Sequence, residues 1–437
     1  MKNLHRNEMN NYWMPFTGNR DFLEAPRLIK RAKGKTLYDV DDNEILDASS
    51  GLFCTPLGHC REEITSAVSE QLGTLDYVSP FQSAHPLAFK FAKALADLLP
   101  DTLDHIFFSN SGSESIDTAM KVAYAYHYAK GEGQRIRFVS RERAYHGVNM
   151  GGISLGGMVK NRQAYGAGLP GIAHMRHTWQ EDQRFQRGQA ETGAELADDL
   201  ERMALNYGPD TIAACIVEPI AGSTGCLVPP KGYLERLREI CDKYGILLIF
   251  DEVITGFGRT GNAFAADTFG VTPDIMTLAK ALTNGAQPMG ATSISSKVHD
   301  VIFNASPDKA IELFHGYTYS AHPAACAAGL ACLELYKKEN LFEKVAELSE
   351  YFLDAIYSLQ DVDIVTDIRG FGLFAGFDIE PSSTVGVRGL ELQKNLFHNG
   401  LHLKMTGDTG LIAPPFIFEK ADVDKMVELL RKGLNQV

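Results

Sequence analysis

The middle of the chain alternates short, continuously apolar runs with amphipathic segments of helical period. The apolar runs are Arg135–Val139, Ala213–Val217, Gly245–Asp251 and Asp274–Ala279. A helical period occupies Gly232–Tyr244, directly before one of these runs. Strands that are apolar along their whole length and separated by helices form parallel sheets buried on both faces. The sequence therefore predicts an α/β fold whose mostly parallel sheet is covered by helices on both sides.

The two ends of the chain contain shorter elements that indicate a second, smaller unit. Strand-like pieces occur at Arg27–Ile29, Thr36–Val40, Val362–Ile368 and Gly372–Ile379, and Leu341–Leu359 has a helical period. With 437 residues the chain is long enough for two or three domains. We expect residues 1–54 and 326–437 to build one small α+β domain together, and residues 55–325 to form the large domain.

Charge and cysteine content exclude several classes of function. The 55 acidic residues outnumber the 42 basic ones, which argues against a nucleic-acid surface but allows a locally positive pocket. The seven cysteines are scattered and include no C-x-x-C pair, so we expect free thiols, no disulfide framework and no metal site. Neither a secretory signal nor a membrane-spanning run is visible, and the predicted compartment is the cytoplasm.

A short polar turn at Ser109–Glu114 directly precedes the helical run Ser115–Lys130. The free N–H groups and the positive dipole end of such a helix bind phosphate well, with Ser111, Gly112 and Ser113 as the contacting residues. The alternative is a capping box, in which Ser111 and the glutamate three residues later satisfy only the helix itself. The turn by itself does not distinguish the two.

An acidic residue, Asp251, ends the apolar run Ile246–Phe250. Acids at the carboxyl end of a buried strand lie where α/β folds bind ligands. A Walker-B acid of an ATPase has the same appearance, but it requires G-x-x-x-x-G-K-[ST] elsewhere. The Gly34-Lys35-Thr36 triplet has Ile29 at the position of the first glycine and precedes a strand, so the ATPase interpretation fails.

Two further motifs are weak alone. Lys280 ends another apolar run, where burial would lower the pKa of its amine and make it nucleophilic; the alternative is a lysine that extends to solvent at the sheet edge. Tyr145 and His146 lie in a turn after a strand and are suited to cover a flat ligand, unless they only pack the loop. A phosphate site, an aromatic cover, a buried carboxylate and a buried amine together predict pyridoxal 5'-phosphate as cofactor.

These motifs resemble the class III pyridoxal-phosphate aminotransferases of fold type I, and within them the ω-amino acid:pyruvate (β-alanine:pyruvate) group. The similar segments cover nearly the whole chain: Trp13–Thr17, Asn110–Glu114, Tyr145–Gly147, Glu218–Pro219, Phe250–Gly261, Lys280–Gly290 and His315–Pro323. The resemblance implies a mixed, mostly parallel seven-stranded sheet in a large domain, with a small domain built by both chain ends.

The resemblance also implies roles for individual residues. Lys280 would form the Schiff base with the cofactor, Asp251 would pair with its pyridine nitrogen, and Glu218 would lie beside Asp251. Tyr145 would stack on one face of the cofactor ring and Val253 would pack on the other. Gly112 and Ser113 would hold the phosphate, and Thr318 would reach it from the neighbouring subunit. A homodimer with shared sites follows, with a tetramer as the alternative.

The substrate end departs from the β-alanine pattern. That pattern has Trp at Phe53, Arg at Lys404 and Gln at Leu411. Arg holds a carboxylate through two parallel hydrogen bonds, whereas Lys offers a point charge. We expect Trp13, Phe53, Tyr145 and Lys404 to contact substrate, with a solvated Lys404 as the alternative.

The predicted reaction is a ping-pong transfer of an amino group from an ω-amino acid or amine to pyruvate, which leaves as alanine. Alternatives on the same scaffold are an aminomutase, a racemase, a decarboxylase, or an aminotransferase that uses 2-oxoglutarate. A pyridoxal-phosphate-sensing regulator would carry an added basic DNA-binding domain, and the similar region already begins at Trp13, so we do not expect one.

Overall fold

The computed structural model describes residues 6–100 and 102–437. Its strands are β1 (Ile29–Lys33), β2 (Thr36–Asp39), β3 (Glu44–Asp47), β4 (His105–Ser109), β5 (Arg137–Arg141), β6 (Ile172–Met175), β7 (Ile212–Val217), β8 (Leu247–Asp251), β9 (Ile275–Leu278), β10 (Gly290–Ile294), β11 (Val365–Phe371), β12 (Phe374–Ile379), β13 (Leu401–His402), β14 (Lys404–Thr406) and β15 (Thr409–Ile412).

The α-helices are α1 (Arg6–Met9), α2 (Asn19–Glu24), α3 (Ser50–Phe53), α4 (Glu62–Thr74), α5 (Pro86–Ala96), α6 (Gly112–Ala129), α7 (Met150–Leu155), α8 (Val159–Arg162), α9 (Asp198–Tyr207), α10 (Tyr233–Tyr244), α11 (Ala265–Phe269), α12 (Ser296–Ala305), α13 (Pro323–Lys338), α14 (Leu341–Tyr357), α15 (Val387–His398) and α16 (Lys420–Leu434). Short 3-10 turns occupy Glu181–Gln183, Ala194–Ala197, Pro209–Thr211, Lys280–Thr283 and Ser358–Asp361. In the described part of the chain no helix has both the length and the apolar character needed to cross a bilayer.

A seven-stranded sheet in the order β4-β10-β9-β8-β7-β5-β6 forms the centre of the fold. Strand β10 runs antiparallel to both of its neighbours, and the pairs from β9 to β6 are all parallel. The predicted mixed, mostly parallel seven-stranded sheet is therefore confirmed. All six residues of β7 are buried, which explains why this strand is apolar without alternation.

Helices cover both faces of this sheet, as predicted. Along β8, Leu247 and Ile249 pack into a core with residues of α6. Leu248 and Phe250 point the other way, into a core that includes residues of α10. Successive side chains of a strand point to opposite faces, so a strand between two cores must be apolar at every position.

Two four-stranded sheets are built from the chain ends. The sheet β1-β2-β3-β13 joins the termini, because β13 pairs in parallel with β3. The other sheet, β11-β12-β15-β14, is antiparallel. Strand β1 begins at Ile29, where the predicted Arg27–Ile29 piece ends, because it is a charged edge strand without an apolar period. The joined termini agree with the expected small unit, and the domain boundaries stay a prediction.

Candidate functional site

A cavity of about 130 Å³ lies where the carboxyl ends of β8 and β9 meet the start of α6. Its lining residues are Gly112, Ser113, Ile116, Tyr145, His146, Gly147, Glu218, Asp251, Val253, Ile254, Ala279 and Lys280. Strand ends and helix starts meet at this edge of a parallel sheet, so the topology itself collects polar groups there. Eight of the predicted site residues are among those that line the cavity.

Asp251, the last residue of β8, is buried and held from three directions. Its Oδ2 atom lies 2.8 Å from Nδ1 of His146. Its Oδ1 atom accepts hydrogen bonds from the N–H of Val253 at 3.2 Å and from the hydroxyl of Thr277 at 3.3 Å. Thr277 faces Asp251 because the two residues are paired in the register of β8 and β9. The carboxylate thus has a fixed orientation at the cavity wall.

Glu218 is a second buried carboxylate at the cavity. It accepts hydrogen bonds from the N–H of Tyr145 at 2.9 Å and from the N–H of Gly222 at 2.8 Å. Burial raises the pKa of Glu218 above its usual value, and the negative charge of Asp251 acts in the same direction. Through its hydrogen bond to the N–H of Tyr145, Glu218 fixes the backbone that carries this residue. Burial also raises the pKa of the Tyr145 phenol.

Lys280 provides an amine on the neighbouring strand end. It follows β9 by two residues and begins a 3-10 turn with a left-handed backbone, φ +50°, rather than ending the strand as predicted. Burial lowers the pKa of Lys280, and the nearby Cys54, Asp251 and Glu218 oppose that shift. Its Nζ atom lies 5.4 Å from the centre of the Phe53 ring. The amine is thus desolvated and placed between an aromatic face and carboxylates.

The start of α6 contributes the third wall. A Cβ atom on Gly112 would lie 3.1 Å from the Val253 side chain, a tight contact, so glycine at this position leaves room between the helix start and Val253. The Ser113 hydroxyl accepts a hydrogen bond from the N–H of Val148 at 3.0 Å, which joins the turn after Tyr145 to the helix. The N–H groups of this helical turn form the kind of site that binds an anion.

Ser111 serves the helix itself. Its hydroxyl accepts a hydrogen bond from the N–H of Glu114 at 3.2 Å, and the Glu114 carboxylate accepts one from the N–H of Asn110 at 2.7 Å. This is the capping arrangement considered as the alternative, except that the Glu114 carboxylate binds the N–H of the residue before Ser111. Ser111 does not line the cavity, whereas Gly112 and Ser113 do. The turn therefore combines a capped helix with an anion-binding geometry.

The predicted substrate residues are spread more widely. Phe53 is buried and packs edge-on against Phe374 at 5.6 Å between ring centres, in one apolar cluster with Leu411. Lys404 pairs across β14 and β15 with Leu411, so both side chains point to the same face of that sheet. Burial lowers the pKa of Lys404.

Two other predicted residues lie outside the cavity lining. Trp13 is 89% exposed. Thr318 is exposed, and its carbonyl oxygen accepts a hydrogen bond from the Tyr77 hydroxyl at 3.1 Å.

Several residues at the cavity were not predicted from the sequence. Ile116, Gly147, Ile254 and Ala279 line it without a polar group that would have marked them. Thr277 carried a signal, because it is a hydroxyl residue in an otherwise apolar run, at the position paired with Asp251. That pairing depends on strand register, which the sequence alone did not provide.

Known proteins are similar to this chain over nearly its whole length. A family model described as Aminotransferase class-III matches residues 17–434. An omega-aminotransferase of Caulobacter vibrioides is 51% identical over 439 residues, and the alignment covers all of both chains. A beta-alanine–pyruvate aminotransferase of Pseudomonas aeruginosa is 47% identical over 429 residues, covering 98% of this chain and 96% of that one.

Among solved structures, an omega transaminase of Pseudomonas jessenii in complex with PMP has a TM-score of 0.94 at 32% identity, covering 99% of this chain and 98% of that chain. Transaminases of this class depend on pyridoxal 5'-phosphate, the cofactor expected from the cavity residues. The match of the family model over almost the entire length and the high identity to full-length relatives together show that the chain belongs to the class III aminotransferases.

Proposed function

We propose that this enzyme transfers an amino group from an ω-amino acid or amine to pyruvate, which leaves as alanine, in a ping-pong sequence. The observation that carries the proposal is the pair Lys280 and Asp251, a desolvated amine and an oriented carboxylate at neighbouring strand ends of one cavity. The names of the relatives from Caulobacter and Pseudomonas support the donor class. The pyruvate acceptor is supported by the name of the Pseudomonas relative.

The cavity residues fit pyridoxal 5'-phosphate. Gly112 leaves open a space that a Cβ atom would fill, at a helix start able to receive the phosphate. Asp251 provides the anion that a protonated pyridine nitrogen needs, and Lys280 provides the amine that an aldehyde needs. When bound, the cofactor supplies an electron sink for the bond that breaks at the donor carbon.

The protein groups then have separate tasks. Burial lowers the pKa of Lys280 and so favours its neutral amine, which can accept the proton from the amino-bearing carbon of the donor at Nζ and return it. Asp251 is held in place by His146, Thr277 and the N–H of Val253, so its carboxylate would be oriented to pair with the pyridine nitrogen of the cofactor. Tyr145 and Val253 would bracket the two ring faces and keep water out.

We further propose a homodimer with shared sites, in which Thr318 of each subunit contacts the phosphate bound by its neighbour. Thr318 is exposed and is not among the residues that line the cavity of its own chain, which supports this arrangement. Large apolar side chains are exposed at the surface, among them Trp13 and Phe314, and such side chains are typical of a subunit contact. The cytoplasm remains the proposed compartment, supported by seven free cysteines, five of them buried.

Lys404 is the proposed recognition residue for a donor carboxylate. The side chain of Lys404 lies on the same sheet face as Leu411, which belongs to the cluster that contains Phe53. In the described part of the chain its ammonium group has no carboxylate partner within ion-pair distance. A half-buried cation above an apolar wall is complementary to an amino acid whose carboxylate lies at the end opposite the amine.

The first experiment tests the reaction class through Lys280→Ala. We expect a folded protein without transamination, whereas Lys160→Ala, an exposed lysine of α8, should behave as wild type. Borohydride treatment of the wild type should leave the mass of the cofactor on the peptide that contains Lys280. Transamination at the wild-type rate by Lys280→Ala would refute the assignment.

The second experiment tests the substrates. β-Alanine, γ-aminobutyrate, putrescine and a benzylic amine are each offered with pyruvate or 2-oxoglutarate, and the amino acid formed is identified. Alanine production with ω-amino acids is the expected result. Turnover of a single compound without any keto acid would indicate an aminomutase or racemase instead.

A further inference from the structure

Two side chains of the loop 315–318 are hydrogen-bonded to α6, whose first turn forms a wall of the cavity. The hydroxyl of Thr118 on α6 lies 2.9 Å from Nε2 of His315 and 3.3 Å from the hydroxyl of Tyr317. The Tyr317 hydroxyl donates to the carbonyl oxygen of Glu114 at 3.0 Å. At the other end, Nζ of Lys121 lies 3.3 Å from Nδ1 of His315. These five residues form one continuous hydrogen-bond chain.

The chemistry of the groups gives this chain a single direction. A lysine ammonium can only donate, so Nδ1 of His315 accepts and its proton must be on Nε2. Nε2 then donates to Thr118, whose one hydroxyl proton is free to go to Tyr317, and Tyr317 donates to the Glu114 carbonyl. Burial and the charge of Lys121 lower the pKa of His315 to about 4, which agrees with a neutral ring. Each of the four hydrogen bonds in the chain therefore has a defined donor and a defined acceptor.

Packing holds the same loop in place. The His315 ring stacks on Phe107 of β4 with 5.1 Å between ring centres and an angle of 7°. Thr118 is fully buried. A threonine inside a helix commonly bonds to the carbonyl four residues earlier, which here is Glu114. Tyr317 takes a position on that carbonyl and Thr118 turns to the loop, so the loop replaces a contact within the helix.

The position of Glu114 matters because the next residue toward the helix start is Ser113. Gly112 and Ser113 line the cavity, and the hydrogen-bond chain passes through His315 and Tyr317 of the loop that carries Thr318. One turn of α6 thus contacts the phosphate-binding wall of its own subunit and fixes a loop that faces outward. A change in the loop cannot leave this turn unaffected while the chain of bonds is intact.

We propose that Thr118 is a positioning residue that couples the two active sites of the dimer through α6. The inference rests on the proposed function, in which Thr318 contacts the phosphate held by the neighbouring subunit. In that dimer, the hydrogen-bond chain of one subunit orients its own phosphate turn and also the Thr318 that serves the other site. Breaking the chain in one subunit therefore weakens cofactor retention in both.

The first test uses Thr118→Val, which keeps the side-chain shape and removes the hydroxyl. We expect cofactor to be lost on dialysis about fivefold faster than from wild type, because the buried hydrogen bonds that hold the loop against α6 are broken. Thr118→Ser keeps the hydroxyl and should restore slow loss. Thr65→Val on the exposed face of α4 is the matched control. Tyr317→Phe breaks the chain at a part-exposed position and should act in the same direction.

The second test uses a heterodimer. One subunit is wild type, and the other carries Lys280→Ala together with Thr118→Val. After increasing dialysis times, borohydride fixes the remaining cofactor, and only the wild-type subunit has the Lys280 amine to carry it. We expect that site to lose cofactor several-fold faster than in a control heterodimer whose second subunit carries Lys280→Ala alone.

The outcomes separate the two levels of the proposal. Equal rates of loss in the two heterodimers, with a normal control, would overturn the coupling and leave the proposed function intact. A control that is monomeric, or that carries no fixed cofactor on Lys280, would overturn the proposed function and the coupling with it. Failure of Thr118→Ser to restore slow loss would show that the hydroxyl is not the group involved.

Discussion

The Nδ1 atom of His146 lies 2.8 Å from Oδ2 of Asp251, and the Nε2 atom of the same ring is buried without a hydrogen-bond partner in the described part of the chain. An ionised carboxylate only accepts, so Nδ1 carries the proton and the ring is oriented by Asp251. The imidazole holds the carboxylate on one side, and Thr277 with the N–H of Val253 holds it on the other.

Asp251→Asn removes the charge and keeps the shape. We expect turnover to fall by about a hundredfold or more, because a fixed charge in a water-excluded site is worth far more than one in water. Cofactor content, measured by absorbance, should change less than turnover. Asp308→Asn, an exposed surface residue, serves as the control. Unchanged turnover would mean that Asp251 does not act on the reacting group.

His146→Leu leaves the Asp251 carboxylate without one of its donors. The loss of a hydrogen bond to a buried charged group costs about 1.5–3 kcal/mol, so turnover should fall roughly ten- to hundredfold. His146→Asn places an amide N–H near the former Nδ1 position and should recover a large part of the rate. Steady-state kinetics of the two variants decide the point; equal rates would argue that only the ring volume matters.

Lys404→Met tests whether this residue binds the donor carboxylate. The KM for β-alanine should rise about tenfold or more, since a charge-assisted contact is lost, whereas the KM for a benzylic amine should stay unchanged. Lys404→Arg should preserve carboxylate donors because its fork can bind both oxygens. A parallel change in KM for both donor types would instead indicate a general disturbance of β14.

Arg259 links three segments around the site, and no carboxylate lies within ion-pair distance of it among residues 6–100 and 102–437. Its guanidinium donates to the carbonyl oxygens of Leu373 at 3.0 Å and Pro414 at 2.7 Å and to the Ser50 hydroxyl at 3.3 Å, and burial lowers its pKa to about 9. Arg259→Lys cannot reach all three, so we expect a loss of about 2 kcal/mol in the free energy of unfolding, measured with denaturant. A raised KM should accompany it, because Ser50 precedes Phe53.

His315 predicts a specific pH dependence of stability. Its pKa is lowered to about 4 in the folded protein, against about 6.5 in an unfolded chain. Between pH 4 and 6.5 the unfolded state therefore binds more protons than the folded state. The contribution of the neutral His315 to the free energy of unfolding is complete above about pH 6.5 and is lost as the pH falls towards 4. Replacement by Gln should flatten the melting temperature against pH between these values. Identical profiles for wild type and variant would exclude His315 as a source.

The sequence contained the central sheet, because a strand between two cores must be apolar throughout, and Leu247–Phe250 could form little else. Edge strands gave a weaker signal. Strand β1 lies at Ile29–Lys33 and not at the predicted Arg27–Ile29, because its mixture of charged and apolar residues has no clear period. The motifs around Asp251 and Lys280 could be recognised since each is a short, continuous run. They sufficed to predict the cofactor.

Only the tertiary structure decided the contacts between residues that are distant in sequence. His146 meets Asp251 across 105 positions of sequence, and Thr277 meets it only through the register of β8 and β9. The same holds for Lys404, which shares a sheet face with Leu411 through the pairing of β14 with β15. Sequence patterns record which face of an element is buried, whereas strand register and helix packing follow from the minimum of the whole chain's free energy, which no local pattern encodes.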